Sequence, residues 1–244
     1  INKLFTKEIL NKSKAHRNRK KWELNEKHIP VLANHCKMNN IKFCITPFYL
    51  EAVDIIKPYV DYIKIASYEI LWKELLIKCA KANKPIIIST GMANIKEVME
   101  AVKILKNNDA KKIIILHCVS NYPAKIESLN LSAIQTIRKK TKLITGWSDH
   151  SSSKLVVNRA IEKWNASYVE LHLDLEGKGF EFKSGHCWLP NEAKDLINFT
   201  KKKKKIDGNS IKQPNKLEMK ERKFRADPVD GLRPIKKYRG LKID

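Results

Sequence analysis

Six short apolar runs alternate with longer amphipathic segments along this chain, and this alternation is the feature that most constrains its fold. The runs begin near positions 41, 62, 85, 112, 143 and 168. Each is almost continuously apolar, as expected for the strands of a parallel sheet that is covered on both faces. The segments between them carry apolar residues at spacings of three and four, which predict helices. Strands that alternate with helices predict βα units arranged in parallel.

The predicted helices lie between these strands and at both ends of the alternating region. They cover residues 22–39, 50–60, 70–82, 94–106, 131–139, 154–164 and 190–204. Asn94 and Glu97 have the spacing of a capping box, which marks the start of one helix. The sequence therefore predicts a basic segment with one helix (1–40), a catalytic barrel domain of six βα units (41–205) and a polar tail (206–244).

Polar residues follow every predicted strand, and this distribution separates two parallel architectures. An open doubly wound sheet concentrates its ligand contacts at one switch point. A (β/α)8 barrel places them at the C-terminal ends of all its strands. No GxGxxG motif follows any strand, which disfavours a dinucleotide-binding sheet. We therefore predict an α/β fold of the (β/α)8 TIM-barrel class.

The number of predicted strands is smaller than a complete barrel requires. Six are visible in the sequence, whereas the barrel has eight. Residues 1–40 offer one helix and no convincing strand, and residues 206–244 are polar. The sequence thus predicts that the first two βα units are missing and that this chain is the C-terminal portion of a longer protein.

The formal net charge of +23 raises the question of a nucleic-acid partner. Lysines occur in nearly every segment, without a helix-turn-helix pattern or interleaved aromatic residues. We therefore predict no nucleic-acid binding, and a basic field that attracts small phosphorylated substrates. No apolar run approaches the roughly 18 residues of a membrane span, so we expect no membrane association. Five cysteines without CxxC spacing favour a reducing, cytoplasmic compartment.

Two histidines near the ends of successive strands are the first candidate ligands. His150 follows the run that starts at Ile144, and His172 lies near the end of the next run. Histidines at neighbouring strand ends can meet across a sheet edge, and neutral imidazole is the commonest protein ligand for a transition metal. Each histidine could equally be a hydrogen-bonded residue of a strand end. The pair alone therefore leaves a metal site and a structural role as alternatives.

The motifs at the strand ends occur in a recognisable order. They are Thr46-Pro-Phe48, Lys64-Ile-Ala-Ser67-Tyr-Glu69, Ser89-Thr-Gly-Met92, Cys118-Val-Ser-Asn121-Tyr-Pro123, Trp147-Ser-Asp-His150 and Glu170-Leu-His172. From Trp22 to Pro190 the chain resembles the sialic acid synthase (N-acetylneuraminate synthase) family in this order of motifs. That family condenses phosphoenolpyruvate with an open-chain N-acyl-hexosamine, which gives a nine-carbon 2-keto acid and phosphate.

The resemblance implies a metal, a set of site residues and partners. A divalent ion, Mn²⁺ or Mg²⁺, would be held by His150 and His172 and would act as a Lewis acid on the sugar aldehyde. The residues implied to bind the substrates are Lys64, Ser67, Ser89, Asn121, Tyr122 and Ser148. The implied catalytic residues are Glu69, Lys64 and His186. The sugar would be of the N-acetylmannosamine type, the product a sialic, legionaminic or pseudaminic acid, and the enzyme a cytoplasmic homodimer.

The chain departs from the family pattern after its last predicted strand. The family carries a Gly-Pro-Asp-His stretch there, whereas this chain has Gly185 where the acid should precede His186. Glu181 or Asp174 could supply the carboxylate, and the sequence does not decide between them. Two alternatives stay open: another synthase that joins phosphoenolpyruvate to an aldose, and a catalytically inactive fragment that acts only in binding or oligomerisation.

Overall fold

The computed structural model describes residues 6–21, 23–206 and 210–241. It divides into two units, Ile1–Leu196 and Ile197–Asp244. The strands are β1 Cys44–Ile45, β2 Tyr62–Ile65, β3 Ile86–Ser89, β4 Ile113–Cys118, β5 Ile144–Asp149, β6 Val169–Leu173 and β7 Cys187–Trp188. The helices are α1 Lys7–Lys12, α2 Lys14–Lys21, α3 Ile29–Met38, α4 Leu50–Ile56, α5 Lys73–Lys81, α6 Ile95–Asn107, α7 Ala133–Thr141, α8 Lys154–Glu162, α9 Phe180–Lys183, α10 Pro190–Ile206 and α11 Glu218–Glu221.

The six predicted strands are all present, and the structure adds a seventh. β2 to β6 begin within one residue of the predicted positions, whereas β1 is shorter than predicted and begins at Cys44. The additional strand, β7, has only two residues and follows a glycine-containing loop. So short a strand leaves no apolar run in the sequence from which it could be predicted. The prediction of six strands was therefore wrong by one.

The helix predictions hold with shifted ends. α3 begins at Ile29 and follows a 3₁₀ turn, Glu26–His28, while residue 22, where the helix was expected to start, lies outside the described residues. α1 and α2 were not predicted, because that segment is basic with little apolar periodicity. The predicted capping box starts α6: Asn94 accepts from the backbone N–H of Glu97, whose carboxylate accepts from the Asn94 N–H at 2.7 Å.

The seven strands of the described residues are all parallel and lie in sequence order from β1 to β7, each paired with the next. This singly wound order is that of a (β/α) barrel and excludes a doubly wound sheet. β1 and β7 do not pair with each other in the described part of the chain, so the sheet is open. The barrel class of α/β fold is confirmed in this form, an open sheet of seven strands.

Strand residues alternate between an apolar face covered by helices and a polar face. In β2, Ile63 and Ile65 are fully buried in a cluster that includes residues of α4, α5 and α6, whereas Lys64 points to the other face. A second buried cluster contains Trp147 and Trp188 together with residues of α8. The helices therefore cover one side of the sheet and leave the polar side chains on the other.

The polar face is concave. Lys64 on β2 and Glu170 on β6 are four strand positions apart, which would be about 19 Å in a flat sheet. Their side chains nevertheless approach to 3.7 Å between Lys64 Nζ and Glu170 Oε1. Because the two extended side chains together reach only roughly 10 Å, the sheet must curl around its polar face, as the wall of a barrel does.

The second unit, Ile197–Asp244, contains a loop built on two aspartates. Asp227 is buried and accepts backbone hydrogen bonds from Val229 at 3.0 Å and Lys236 at 2.7 Å. Arg239 donates to both carboxylate oxygens of Asp230 and lowers the pKa of that carboxyl to about 2. In the described part of the chain, none of the helices combines the length and the apolar character that crossing a membrane requires.

Candidate functional site

Lys64 is a buried cation on the concave face, and polar side chains from three strands surround it. Its ammonium donates to Ser89 Oγ at 2.7 Å and to the Ile65 carbonyl at 3.0 Å. Glu170 lies 3.7 Å away and also accepts from Ser148 Oγ at 2.8 Å. A buried charge is tolerated when it is paired and hydrogen-bonded. The structure thus brings together Lys64, Ser89 and Ser148, and it adds Glu170, which was not among the predicted site residues.

Ser67 follows β2 and lies at the edge of this group. Its Oγ accepts from the Gly91 N–H at 3.0 Å and lies 3.1 Å from Cys118 Sγ. A Cβ at Gly91 would lie 2.9 Å from Cys118 Sγ and closer still to Ser120 Oγ, so this position admits only glycine without rearrangement. The loop after β3, which contains Gly91, therefore packs closely against the end of β4, and its Gly91 N–H holds Ser67 in place.

Glu69 and Asn121 flank the group in different environments. Glu69 is half-buried, burial raises the pKa of its carboxyl, and the Lys64 charge partly offsets that rise. Its Oε2 atom is buried and has no hydrogen-bond partner among the described residues. Asn121 lies exposed on the loop after β4. Glu69 is thus a carboxyl near the buried cation, whereas Asn121 is open to solvent.

Four rings gather where β4, β5 and β6 end. The Tyr122 ring centroid lies 4.2 Å from that of His150, 5.0 Å from His186 and 5.8 Å from His172. His172 lies 5.1 Å from His150 and 4.9 Å from His186 between ring centroids. Burial lowers the pKa of all three histidines below 6.5. The imidazoles are therefore neutral at neutral pH, which is the form that binds metals.

His150 and His117 illustrate the two roles that a strand-end histidine can take. His150 Nδ1 lies 2.6 Å from the Val119 carbonyl, which requires an N–H at Nδ1 and leaves the lone pair on Nε2. His117, on the opposite face of the sheet, donates from Nε2 to the Leu129 carbonyl at 2.9 Å and packs against Trp147. His117 is thus a structural residue, whereas His150, a member of the ring cluster, keeps the lone pair on Nε2.

The loop between β6 and β7 adds a carboxylate to the histidines. Glu181 Oε2 lies 3.7 Å from His172 Nδ1 and 4.0 Å from His186 Nε2. Cys187 contributes its Sγ to the same group, in which all the ligand atoms lie within 4.8 Å of one another. Imidazole, carboxylate and thiolate are donors for divalent transition ions. The donor set of this cluster therefore fits a metal centre.

Asp149, next to His150, has a structural role that the sequence did not reveal. It is fully buried and accepts from the indole N–H of Trp147 at 3.0 Å and of Trp188 at 3.1 Å. Ser151 Oγ and the Ser152 N–H complete its hydrogen bonds. Asp149 therefore ties the end of β5 to β7 and fixes the backbone that carries His150.

The chain is similar to known proteins over most of its length. It is 38% identical to the N,N'-diacetyllegionaminic acid synthase of Campylobacter jejuni over 205 aligned residues. This alignment covers 82% of the chain and 60% of that enzyme. It is 35% identical to an uncharacterized protein of Methanocaldococcus jannaschii over 243 aligned residues. This alignment covers 97% of the chain and 70% of that protein.

The fold and a family model agree with these relatives. The chain superposes on the crystal structure of N-acetylneuraminic acid (sialic acid) synthetase from Leptospira borgpetersenii, in complex with citrate, with a TM-score of 0.70 and 32% sequence identity. The superposition covers 82% of the chain and 70% of that protein. The chain thus spans from 60% to 70% of the length of these three relatives. The sequence model of the NeuB family matches residues 2–212. The resemblance found in the strand-end motifs is therefore confirmed: this chain belongs to the NeuB family, which includes synthases of sialic-acid-type sugars.

Proposed function

We propose that this protein condenses phosphoenolpyruvate with an open-chain N-acyl-hexosamine of the N-acetylmannosamine type. The reaction joins C3 of the enol to the aldehyde carbon, adds water at C2 and releases phosphate, which gives a nine-carbon 2-keto sugar acid. One observation carries the proposal: the buried ammonium of Lys64 on β2 and the neutral imidazoles of His150, after β5, and His172, on β6, belong to strands of one concave sheet. Such a face offers an anion site beside an electrophile site, as the two substrates require.

Phosphoenolpyruvate is assigned to the group around Lys64. Ammonium is a point charge suited to phosphate or carboxylate, and hydroxyls add hydrogen bonds. Ser67, Ser89 and Ser148 supply the hydroxyls in this proposal, and Asn121 supplies an amide from the exposed loop. Burial of Lys64 supports the assignment, because an ammonium removed from water interacts strongly with an incoming anion.

The sugar aldehyde is assigned to the ring cluster. His150 and His172 are the proposed ligands of a divalent ion, Mn²⁺ or Mg²⁺, which would supply Lewis-acid polarisation of the aldehyde when bound. Tyr122 forms the wall of this site, since its ring lies against three histidines. Glu69, whose pKa is raised by burial, is the proposed proton carrier, and His186 is the proposed catalytic partner beside the aldehyde.

The experiment is a product assay with phosphoenolpyruvate, Mn²⁺ and a panel of N-acyl-hexosamines. We expect phosphate release that depends on the sugar and a thiobarbiturate-positive keto acid, both lost in His150→Ala and His172→Ala. Absence of product with every hexosamine at saturating Mn²⁺ argues against the proposal. A homodimer and a cytoplasmic location belong to the same proposal, and light scattering of the purified protein tests the dimer.

A further inference from the structure

We propose that Glu181 and His186 are direct ligands of the divalent cation, together with His172. This inference rests on the proposed function and deepens it, because it names the carboxylate of the metal site. The sequence left two candidates for that acid, Asp174 and Glu181. Their hydrogen bonds and contacts in the structure separate them.

The distances from Glu181 fit a shared ion better than hydrogen bonds. Its Oε2 lies 3.7 Å from His172 Nδ1 and 4.0 Å from His186 Nε2. Both separations exceed the roughly 2.7–3.2 Å of an N–H···O hydrogen bond. Donors bound at about 2.1 Å to one ion lie roughly 3.0–4.2 Å from each other, depending on the geometry. Both distances from Glu181 fall in this range, and the donor atoms of all three residues lie within 4.8 Å of one another.

The hydrogen bonds of Ser184 fix which nitrogen of His186 carries the proton. Ser184 Oγ donates its single hydrogen to the Glu181 carbonyl at 2.7 Å. It also lies 2.8 Å from His186 Nδ1, so Nδ1 must be the donor in that contact. His186 Nε2 is consequently a lone-pair nitrogen. An outer hydrogen bond of this kind is how proteins orient a histidine ligand.

The lone pair on His186 Nε2 has no partner in the described residues. The side chain is only 4% exposed, and Nε2 is a buried atom without a hydrogen bond. It faces a carboxylate oxygen, which is also an acceptor, across 4.0 Å. A buried nitrogen lone pair that faces a carboxylate oxygen is unfavourable unless a donor or a cation lies between the two atoms. A divalent ion satisfies both at once.

Asp174 is excluded because its carboxylate is used within its own loop. Oδ1 accepts from the N–H groups of Glu176 at 3.0 Å and Gly177 at 2.6 Å, and Oδ2 accepts from Gly179 at 3.2 Å. These bonds shape the loop that carries Glu181 toward the histidines. A Cβ at Gly179 would collide with the Asp174 carboxylate, so the two residues fit only as this pair. Asp174 positions the loop, and Glu181 is left to bind.

The test is a Mn²⁺ titration followed by electron paramagnetic resonance, in which free Mn²⁺ gives the sharp six-line signal. Glu181→Gln removes the anionic donor, and we expect the Kd for Mn²⁺ to rise about 100-fold or more, because even outer partners of metal ligands contribute about 10–100-fold. Glu176→Gln, an exposed neutral replacement on the same loop, is the matched control with unchanged affinity. A Glu181→Gln affinity within about threefold of wild type, or a wild-type protein that binds no Mn²⁺, overturns the inference.

A second readout counts the histidine nitrogens. Electron spin echo modulation of the bound Mn²⁺ should show one imidazole coupling fewer in His186→Gln than in wild type. Retention of every coupling overturns the role of His186. Circular dichroism verifies the fold of each variant. The Glu181→Gln protein should fold normally, because the Glu181 side chain is 53% exposed. Neither readout needs turnover: Mn²⁺ binding without product rejects only the proposed reaction, and product with unchanged Glu181→Gln affinity rejects only this inference.

Discussion

Replacement of Asp149 by asparagine should lower the free energy of unfolding, because asparagine cannot accept all four hydrogen bonds that the Asp149 carboxylate accepts. Oδ1 accepts from Trp147 and Ser151, and Oδ2 accepts from Trp188 and the Ser152 backbone. Asparagine has one acceptor oxygen and one NH₂ group. Whichever way the amide is turned, one indole N–H faces the NH₂ group and loses its acceptor.

The magnitude follows from the burial of both indoles. Trp147 and Trp188 are 0% and 2% exposed, so water cannot replace the lost acceptor. An unsatisfied buried donor costs about 1–3 kcal/mol, and hydrogen bonds to a charged acceptor are stronger than those to a neutral one. We expect Asp149→Asn to lower the free energy of unfolding by about 2–4 kcal/mol. His150 should also lose its defined position, because it is the next residue in the chain.

Urea unfolding of a double-mutant cycle measures this effect. Trp188→Phe removes one of the two indole donors, so Asp149→Asn should cost about 1–3 kcal/mol less in that background than in wild type. Asparagine can then turn its oxygen toward Trp147 and leave its NH₂ group beside the phenyl ring. An Asp149→Asn protein within about 0.5 kcal/mol of wild type would refute the reasoning, and so would a cycle without coupling.

Three further predictions concern the anion site, its packing and the pH dependence of stability. Lys64→Met keeps an apolar side chain but removes the ammonium. Steady-state kinetics should show that the KM for phosphoenolpyruvate rises about 10–100-fold. In the control Lys42→Met, which replaces an exposed lysine, this KM should be unchanged. Gly91→Ala should lower the free energy of unfolding in urea by about 1–3 kcal/mol, because its Cβ would lie 2.9 Å from Cys118 Sγ. Burial lowers the pKa of His117 below 6.5, so the unfolded chain binds the proton first and the free energy of unfolding falls as the pH drops below about 6.5. Urea midpoints of His117→Gln should fall less over that interval than those of wild type, and parallel curves would contradict this.

The sequence was sufficient to predict those strands that are long enough to form an apolar run. Periodicity separates strand from helix because a strand repeats every two residues and a helix every 3.6. It located the first residues of β2 to β6 within one position. The two-residue β7 carries no such period and was missed, although its Cys187 belongs to the candidate metal centre.

The sequence also nominated site residues, since reactive side chains after successive parallel strands must share one edge of the sheet. Lys64 and Ser89, 25 residues apart in the chain, are in contact as this rule predicts. The ordered motifs gave the family, which the comparisons confirm.

What only the tertiary structure decided is which polar groups already have partners. Asp149 and Asp174 are as acidic in sequence as Glu170 and Glu181, but the first two are occupied by indole and backbone N–H groups. The curl of the sheet brings Glu170 to Lys64 across four strands, and the short helix α9 between β6 and β7 brings Glu181 to His172 and His186. A hydrogen-bond partner distant in sequence leaves no periodic signal, so it is the folded chain that distinguishes a structural carboxylate from one that can bind a ligand.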